Sequence, residues 1–156
     1  MNGKIVGSFV VVTALIFGAV VYYTQVYAFY DEIAGEDAAV SLTNIATGTP
    51  EPILIEDFEG IDGSSSPIRY RSCFTASMSF AAITETYASY EGATPLTAPG
   101  WFDCFDAEAI GAALEAGDAF AFLGQKDISD GVDRVVAIFP DGRAFAWNQL
   151  NEKYAE

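Results

Sequence analysis

From Ile5 to Tyr30 the chain carries no charged side chain, and the run from Ile5 to Val21 is almost wholly apolar. An α-helix rises about 1.5 Å per residue, so about 20 residues cross the roughly 30 Å hydrocarbon layer of a bilayer. This segment is long enough to do that and to project beyond it, which predicts a single transmembrane helix. Lys4 and the terminal amine precede the run and mark its cytoplasmic end by the positive-inside tendency, so the rest of the chain is expected outside the cytoplasm. Tyr22, Tyr23, Tyr27, Phe29 and Tyr30 cluster at the other end, where amphipathic rings favour the membrane–water interface. Val26-Tyr27-Ala28 also offers a small-residue cleavage pattern. The length of the segment and its aromatic-rich outer end favour an uncleaved anchor over a secretory signal. The expected organisation is an anchor at residues 1–30, an acidic juxtamembrane linker at 31–37 and one compact acidic domain at 38–156.

Within the anchor, Gly3, Gly7, Val11, Ala14 and Gly18 fall along one helical stripe. Small residues so placed let another transmembrane helix approach closely, although glycine and alanine are common in membrane helices generally. The stripe therefore makes the transmembrane helices of a larger membrane complex one class of partner.

Charge is divided unevenly along the chain. All 22 acidic side chains lie from Asp31 onward, and of the seven basic ones Lys4 alone precedes the apolar run. Nucleic acid and anionic lipid would be repelled by so acidic a domain, whereas a basic soluble protein such as a cytochrome would be attracted. Acidity alone also keeps a domain soluble, and that explanation needs no partner. The chain contains no histidine. Histidine is the usual general base near neutral pH, the commonest metal ligand and the usual axial haem ligand, so its absence removes several enzyme classes at once.

After the linker the pattern is mainly of strands. Val40–Ile45 alternates, Pro52–Phe58 and Ile68–Phe74 read as second and third strands, and Glu59–Pro67 and Glu91–Trp101 have loop chemistry. A helix is signalled by Asp106 as cap, by Phe105 and Ile110 spaced as a hydrophobic staple, by Ile110, Ala113 and Leu114 on one face, and by Gly117 as terminator. Ala119–Leu123 follows as a buried-looking strand. Arg134–Phe139 and Arg143–Trp147 flank Pro140-Asp141-Gly142, a hairpin in which proline presets the turn and glycine supplies a positive φ. Both faces of the first hairpin strand are apolar, which places it centrally with a helix over one side. The fold class is α+β: one transmembrane helix, then a small, mainly antiparallel sheet with one packed helix.

Cys73 and Cys104 are the only cysteines, and outside the cytoplasm a disulfide between them would persist. Closing their 31-residue separation contributes about 3 to 4 kcal/mol in the chain-entropy model. A copper site using both thiolates and Met78 is the alternative, without histidine or a close Cys-x-x-Cys spacing to support it. Asp127, Asp130 and Asp133 around Gly131, and Asp57, Glu59 and Asp62, are calcium candidates, but neither set has EF-hand spacing. Arg69 and Arg71, flanking Tyr70 on one strand face, are candidates to clamp a carboxylate or phosphate; in so acidic a domain, pairing with internal acids competes with that role. Ser64, Ser65 and Ser66 have no histidine to activate them, and Lys126 and Lys153 lie in no serine–lysine motif. No cofactor and no catalytic residue is assigned.

Together with the exit Gln25-Val26-Tyr27-Ala28-Phe29-Tyr30, three stretches carry a family likeness: Glu56-Asp57-Phe58-Glu59-Gly60-Ile61-Asp62, the segment from Ala98 through Gly100-Trp101-Phe102-Asp103-Cys104 to Gly111, and Asp133 to Arg143. On these the chain resembles a family of short, single-anchored alphaproteobacterial proteins classed as a domain of unknown function. The resemblance implies a Gram-negative inner membrane with the domain in the periplasm, and it implies no activity. The expected role is a non-catalytic accessory subunit of an inner-membrane complex of electron transport. A periplasm-facing assembly factor and a small-ligand-binding domain are the alternatives.

Overall fold

The computed structural model describes residues 2–154. Met1, whose amine was counted with Lys4 at the cytoplasmic end, lies outside them. Helix α1 spans Gly3–Tyr23, capped by Asn2, whose side chain accepts from the Lys4 amide, and none of its residues is buried. Apolar side chains point in every direction around it. A soluble helix hides an apolar stripe and wets the rest, so a helix apolar all round with no protein neighbours suits a hydrocarbon surrounding. Together with a π-helical turn at Thr24–Ala28 it is long and apolar enough to cross a membrane. The Thr24 hydroxyl donates to the carbonyls of Val20 and Val21 at this widened turn.

The domain is built on a six-stranded antiparallel sheet: β1 (Asp31–Glu32), β4 (Ile55–Asp62), β5 (Arg71–Ala76), β8 (Arg143–Leu150), β7 (Val132–Ile138) and β6 (Phe120–Ser129), in that spatial order. A second, two-stranded sheet joins β2 (Ser41–Thr43) to β3 (Pro50–Pro52). Alternation along β7 divides the core. Val136 and Ile138 face a layer with Leu42, Phe74, Ile83 and Phe122, while Val135 and Ala137 face one with Ile61, Phe102, Phe105, Ile110 and Trp147. Both faces of the sheet are thus covered, which is why the first hairpin strand reads as apolar on both sides. The hairpin closes as expected, with Gly142 at φ 97° and its amide donating to the Phe139 carbonyl at 2.9 Å.

Helix α3 (Ala107–Ala116) carries the expected ends: the Asp106 carboxylate accepts from the Ala109 amide at 3.0 Å, and Gly117 terminates it at φ 78°. The sequence predicts one helix in the domain, and among the described residues there are two α-helices. Helix α2 (Phe80–Thr86) starts at a Ser79 cap and buries only Ile83 completely. With seven residues, Ile83, Thr84 and Thr86 being β-branched, it has too short a period and too low a propensity to register in the sequence. The second predicted strand also divides. Pro52 ends β3, and β4 continues through Glu59–Asp62, residues expected in a loop. A shifted register between Glu56 and Glu59, with Asp57 at φ 52°, lets the strand absorb an extra residue. The third strand starts at Arg71 rather than Ile68.

Candidate functional site

Residues 31–37, read from sequence as a linker, are built into the domain. Asp31 and Glu32 pair with Asp62 and Ile61 as β1, the Ile33 amide donates to the Gly60 carbonyl at 2.8 Å, and Ile33 packs on the core. The cause is the unexpected reach of β4, whose free edge accepts the chain as it leaves the anchor. Two side chains from distant parts of the sequence then hold the anchor itself. Trp101 donates its indole N–H to the Val26 carbonyl at 2.7 Å and stacks on Tyr27, with ring centroids 6.2 Å apart. Arg69 donates to the Gln25 side-chain oxygen at 2.9 Å and to its carbonyl at 3.3 Å. The Arg69 guanidinium also lies 5.0 Å from the Tyr30 ring centroid. A Cβ on Gly63 would come within 2.7 Å of the Phe29 carbonyl oxygen, so glycine is what lets the exit lie this close. Anchor and domain form one continuous body through these contacts.

Arg69 and Arg71 do not form a clamp. Arg69 precedes the strand, and Arg71 is buried with its donors committed to main-chain carbonyls: Leu96 and Ile68 at 2.7 Å, Tyr70 at 2.6 Å and Thr97 at 3.3 Å. Burial lowers the Arg71 guanidinium to a pKa of about 10. It staples the loop before α3 to the start of β5. Neither arginine pairs with an acid; among the described residues ion pairs join only Arg143 to Asp141 and Lys153 to Asp130, both exposed.

Cys73 on β5 and Cys104 before α3 form a disulfide, S–S 2.11 Å. Met78 packs against the opposite face of the sheet, so the three sulfurs do not gather round a copper ion. The calcium candidates disperse as well. Buried Asp133 accepts from the Tyr90 hydroxyl at 3.1 Å and from the Asp127 amide and Asn151 side chain at 2.9 Å, whereas Asp130 turns outward to Lys153 and Tyr154. Asp62 caps the Gly63 amide instead of joining Asp57 and Glu59. Among the described residues no three acidic, cysteine or histidine side chains are grouped to hold a metal.

A groove of about 890 Å³ lies between α3, the start of β6 and the segment 87–95 that pairs with the outer edge of β6. Tyr87, Tyr90, Pro95, Leu114 and Phe120 line it, with Glu108 and Glu115 from α3. Burial, with the Asp133 carboxylate next, raises the Tyr90 hydroxyl to about 12, so it stays protonated and serves as a donor. The sequence reading missed this groove because its walls come from three separate segments. It also missed the anchor contacts, for which the only signal was a lone tryptophan in a loop and an aromatic-rich exit.

A family model described as a family of unknown function, DUF6446, matches residues 40–156. The chain belongs to the DUF6446 family. The matched region begins just before β2 and takes in the disulfide, Arg69, Trp101 and the groove, while α1 and β1 precede it. The DUF6446 match thus covers the domain except for β1 and the segment that follows it, and two residues inside the match, Arg69 and Trp101, contact the end of the anchor. No curated protein and no solved structure matches the chain.

Proposed function

We propose that this chain is a single-pass, non-catalytic accessory subunit of a bacterial inner-membrane complex of electron transport, with its acidic domain capping the periplasmic face. The observation that carries the proposal is the coupling of the π-helical turn that continues α1 to the domain through Trp101 and Arg69. A flexible tether needs no such contacts, whereas a subunit placed between a membrane core and an outer face needs its two parts in fixed relation. The stripe of Gly3, Gly7, Val11, Ala14 and Gly18 supplies a close-approach surface for a neighbouring helix: a Cβ on Gly3, Gly7 or Gly18 would meet nothing within 4 Å. Lys4 before the span orients it. The acidic surface favours a basic soluble cytochrome over nucleic acid as the outer partner.

Purification in mild detergent through a tag on this chain, followed by identification of co-purifying proteins at fixed stoichiometry, tests the subunit role. A chain recovered alone and monomeric would remove it, and one recovered only with immature complexes would make it an assembly factor. Cytochrome docking is tested separately by affinity as a function of salt, with surface Asp and Glu changed to Asn and Gln; unchanged affinity would remove that part. The groove favours a second reading, a small-ligand-binding domain. Its lining includes neither Arg69 nor Arg71, so the ligand would be apolar or cationic rather than an anion.

A further inference from the structure

We infer that the membrane-proximal face of the domain rests directly on the outer leaflet and binds a zwitterionic phospholipid headgroup, Arg69 taking its phosphate and Trp101 and Tyr27 lying among the headgroups. This rests on the reading of α1 as a membrane span. Depth is fixed by the helix: from Lys4 to Gln25 the rise is about 32 Å, against a hydrocarbon layer of about 30 Å, so Gln25 and Val26 reach the outer boundary. Trp101 and Arg69 donate to those two residues and therefore lie at the same depth. Both belong to the folded domain, which sets its lower face against the bilayer. The chemistry there is that of an interface: Tyr22, Tyr23 and Tyr27 form a chain of ring contacts that continues into Trp101.

Arg69 is the charge in this collar that suits a phosphate. Of its donors, Nη1 and Nη2 reach Gln25 and, among the described residues, none reaches a carboxylate, so the guanidinium keeps capacity for an anion arriving from the membrane. Exposed Asp31 and Glu32 follow immediately on the anchor. They disfavour a headgroup of net negative charge and suit one that carries an ammonium beside its phosphate.

The test uses the full chain in nanodiscs of phosphatidylcholine and phosphatidylethanolamine containing lipids spin-labelled either at the headgroup or deep in the acyl chain. Trp101 emission is expected to be quenched by the headgroup label more than by the deep one, and the quenching to vanish in Trp101→Phe, where the fully buried Trp147 is the remaining emitter. A chain that enters the nanodisc with unquenched Trp101 overturns the inference and leaves the membrane span standing; a chain that fails to enter overturns both. Native mass spectrometry in mild detergent tests the phosphate contact. Phospholipid retention should fall roughly tenfold in Arg69→Gln and recover in Arg69→Lys, which keeps the charge but cannot fork onto Gln25. Equal retention in Arg69→Gln, or loss in both variants, removes the phosphate role.

Discussion

Helix α1 and the β7–β8 hairpin both carry apolar runs, and they are apolar for opposite reasons. In β7, Val135, Val136, Ala137 and Ile138 are completely buried by other parts of the protein; in α1, Phe9 and Phe17 are 71% and 70% exposed. Burial in the hairpin contributes to the folding free energy of the domain. The apolar surface of α1 contributes nothing to it, because the medium rather than the protein covers that surface. Substitution separates the two. Trp147, wholly buried among Phe105 and its neighbours, should cost about 3 to 5 kcal/mol when changed to alanine, most of a small domain's stability. Phe17→Ala in α1 should leave the domain's thermal midpoint unmoved. Thermal unfolding of both variants in the same detergent measures this, and an equal drop in the two would mean that α1 packs on the domain along its length.

The Cys73–Cys104 bridge belongs to the hairpin's side of the comparison, since it ties the loop carrying Phe102 and Phe105 to the sheet. Replacing both cysteines by alanine should lower stability by about 3 to 4 kcal/mol in the chain-entropy model. The Arg71 bonds to Leu96 and Thr97 hold the same loop in the folded state only, so they do not offset this loss. Denaturant midpoints with and without reductant read it directly.

Between the two regions lies the junction, where the expected effect is smaller but more specific. Trp101→Phe removes one hydrogen bond to Val26 and should cost about 1 kcal/mol of domain stability. Gly63→Val forces the Phe29 carbonyl and the Arg69 side chain away from the turn. Both should speed proteolysis between Phe29 and Ala34 in the intact chain, Gly63→Val the more. Unchanged cleavage would return the segment to the status of a linker.

What the sequence disclosed follows from the same contrast. The anchor, the capped helix α3 and the Pro140-Asp141-Gly142 hairpin each write their own signal locally: an uncharged run longer than a bilayer, an Asp–Gly bracket around an amphipathic stretch, a turn whose residues match its dihedrals. The junction writes none, because Arg69 lies 44 residues from Gln25 and Trp101 lies 75 from Val26. Arg71 misled for a related reason. A charged residue between Tyr70 and Cys73 suggests a surface, yet four carbonyls of converging loops satisfy it, and nothing in their sequence says they converge. The groove shares that invisibility, having walls from α3, β6 and the segment 87–95.

Tyr90 offers the finest test of how tightly the domain is sealed where the anchor is not. Its hydroxyl donates to buried Asp133, and burial together with that carboxylate lifts its pKa from 10.0 to about 12. A group whose folded pKa lies above its unfolded value stabilises the fold fully below the unfolded pKa and loses that contribution as pH rises through the folded one. The stability of the wild-type chain relative to Tyr90→Phe should therefore be constant up to about pH 10 and decline toward pH 12. The comparison with Tyr90→Phe is needed because Arg71, lowered to about 10 by burial, acts in the opposite direction over the same window and is common to both chains. Denaturant midpoints for the pair across that window give the difference. A difference that stayed flat would mean that water reaches the Tyr90–Asp133 contact, and that the groove beside it is open to its floor.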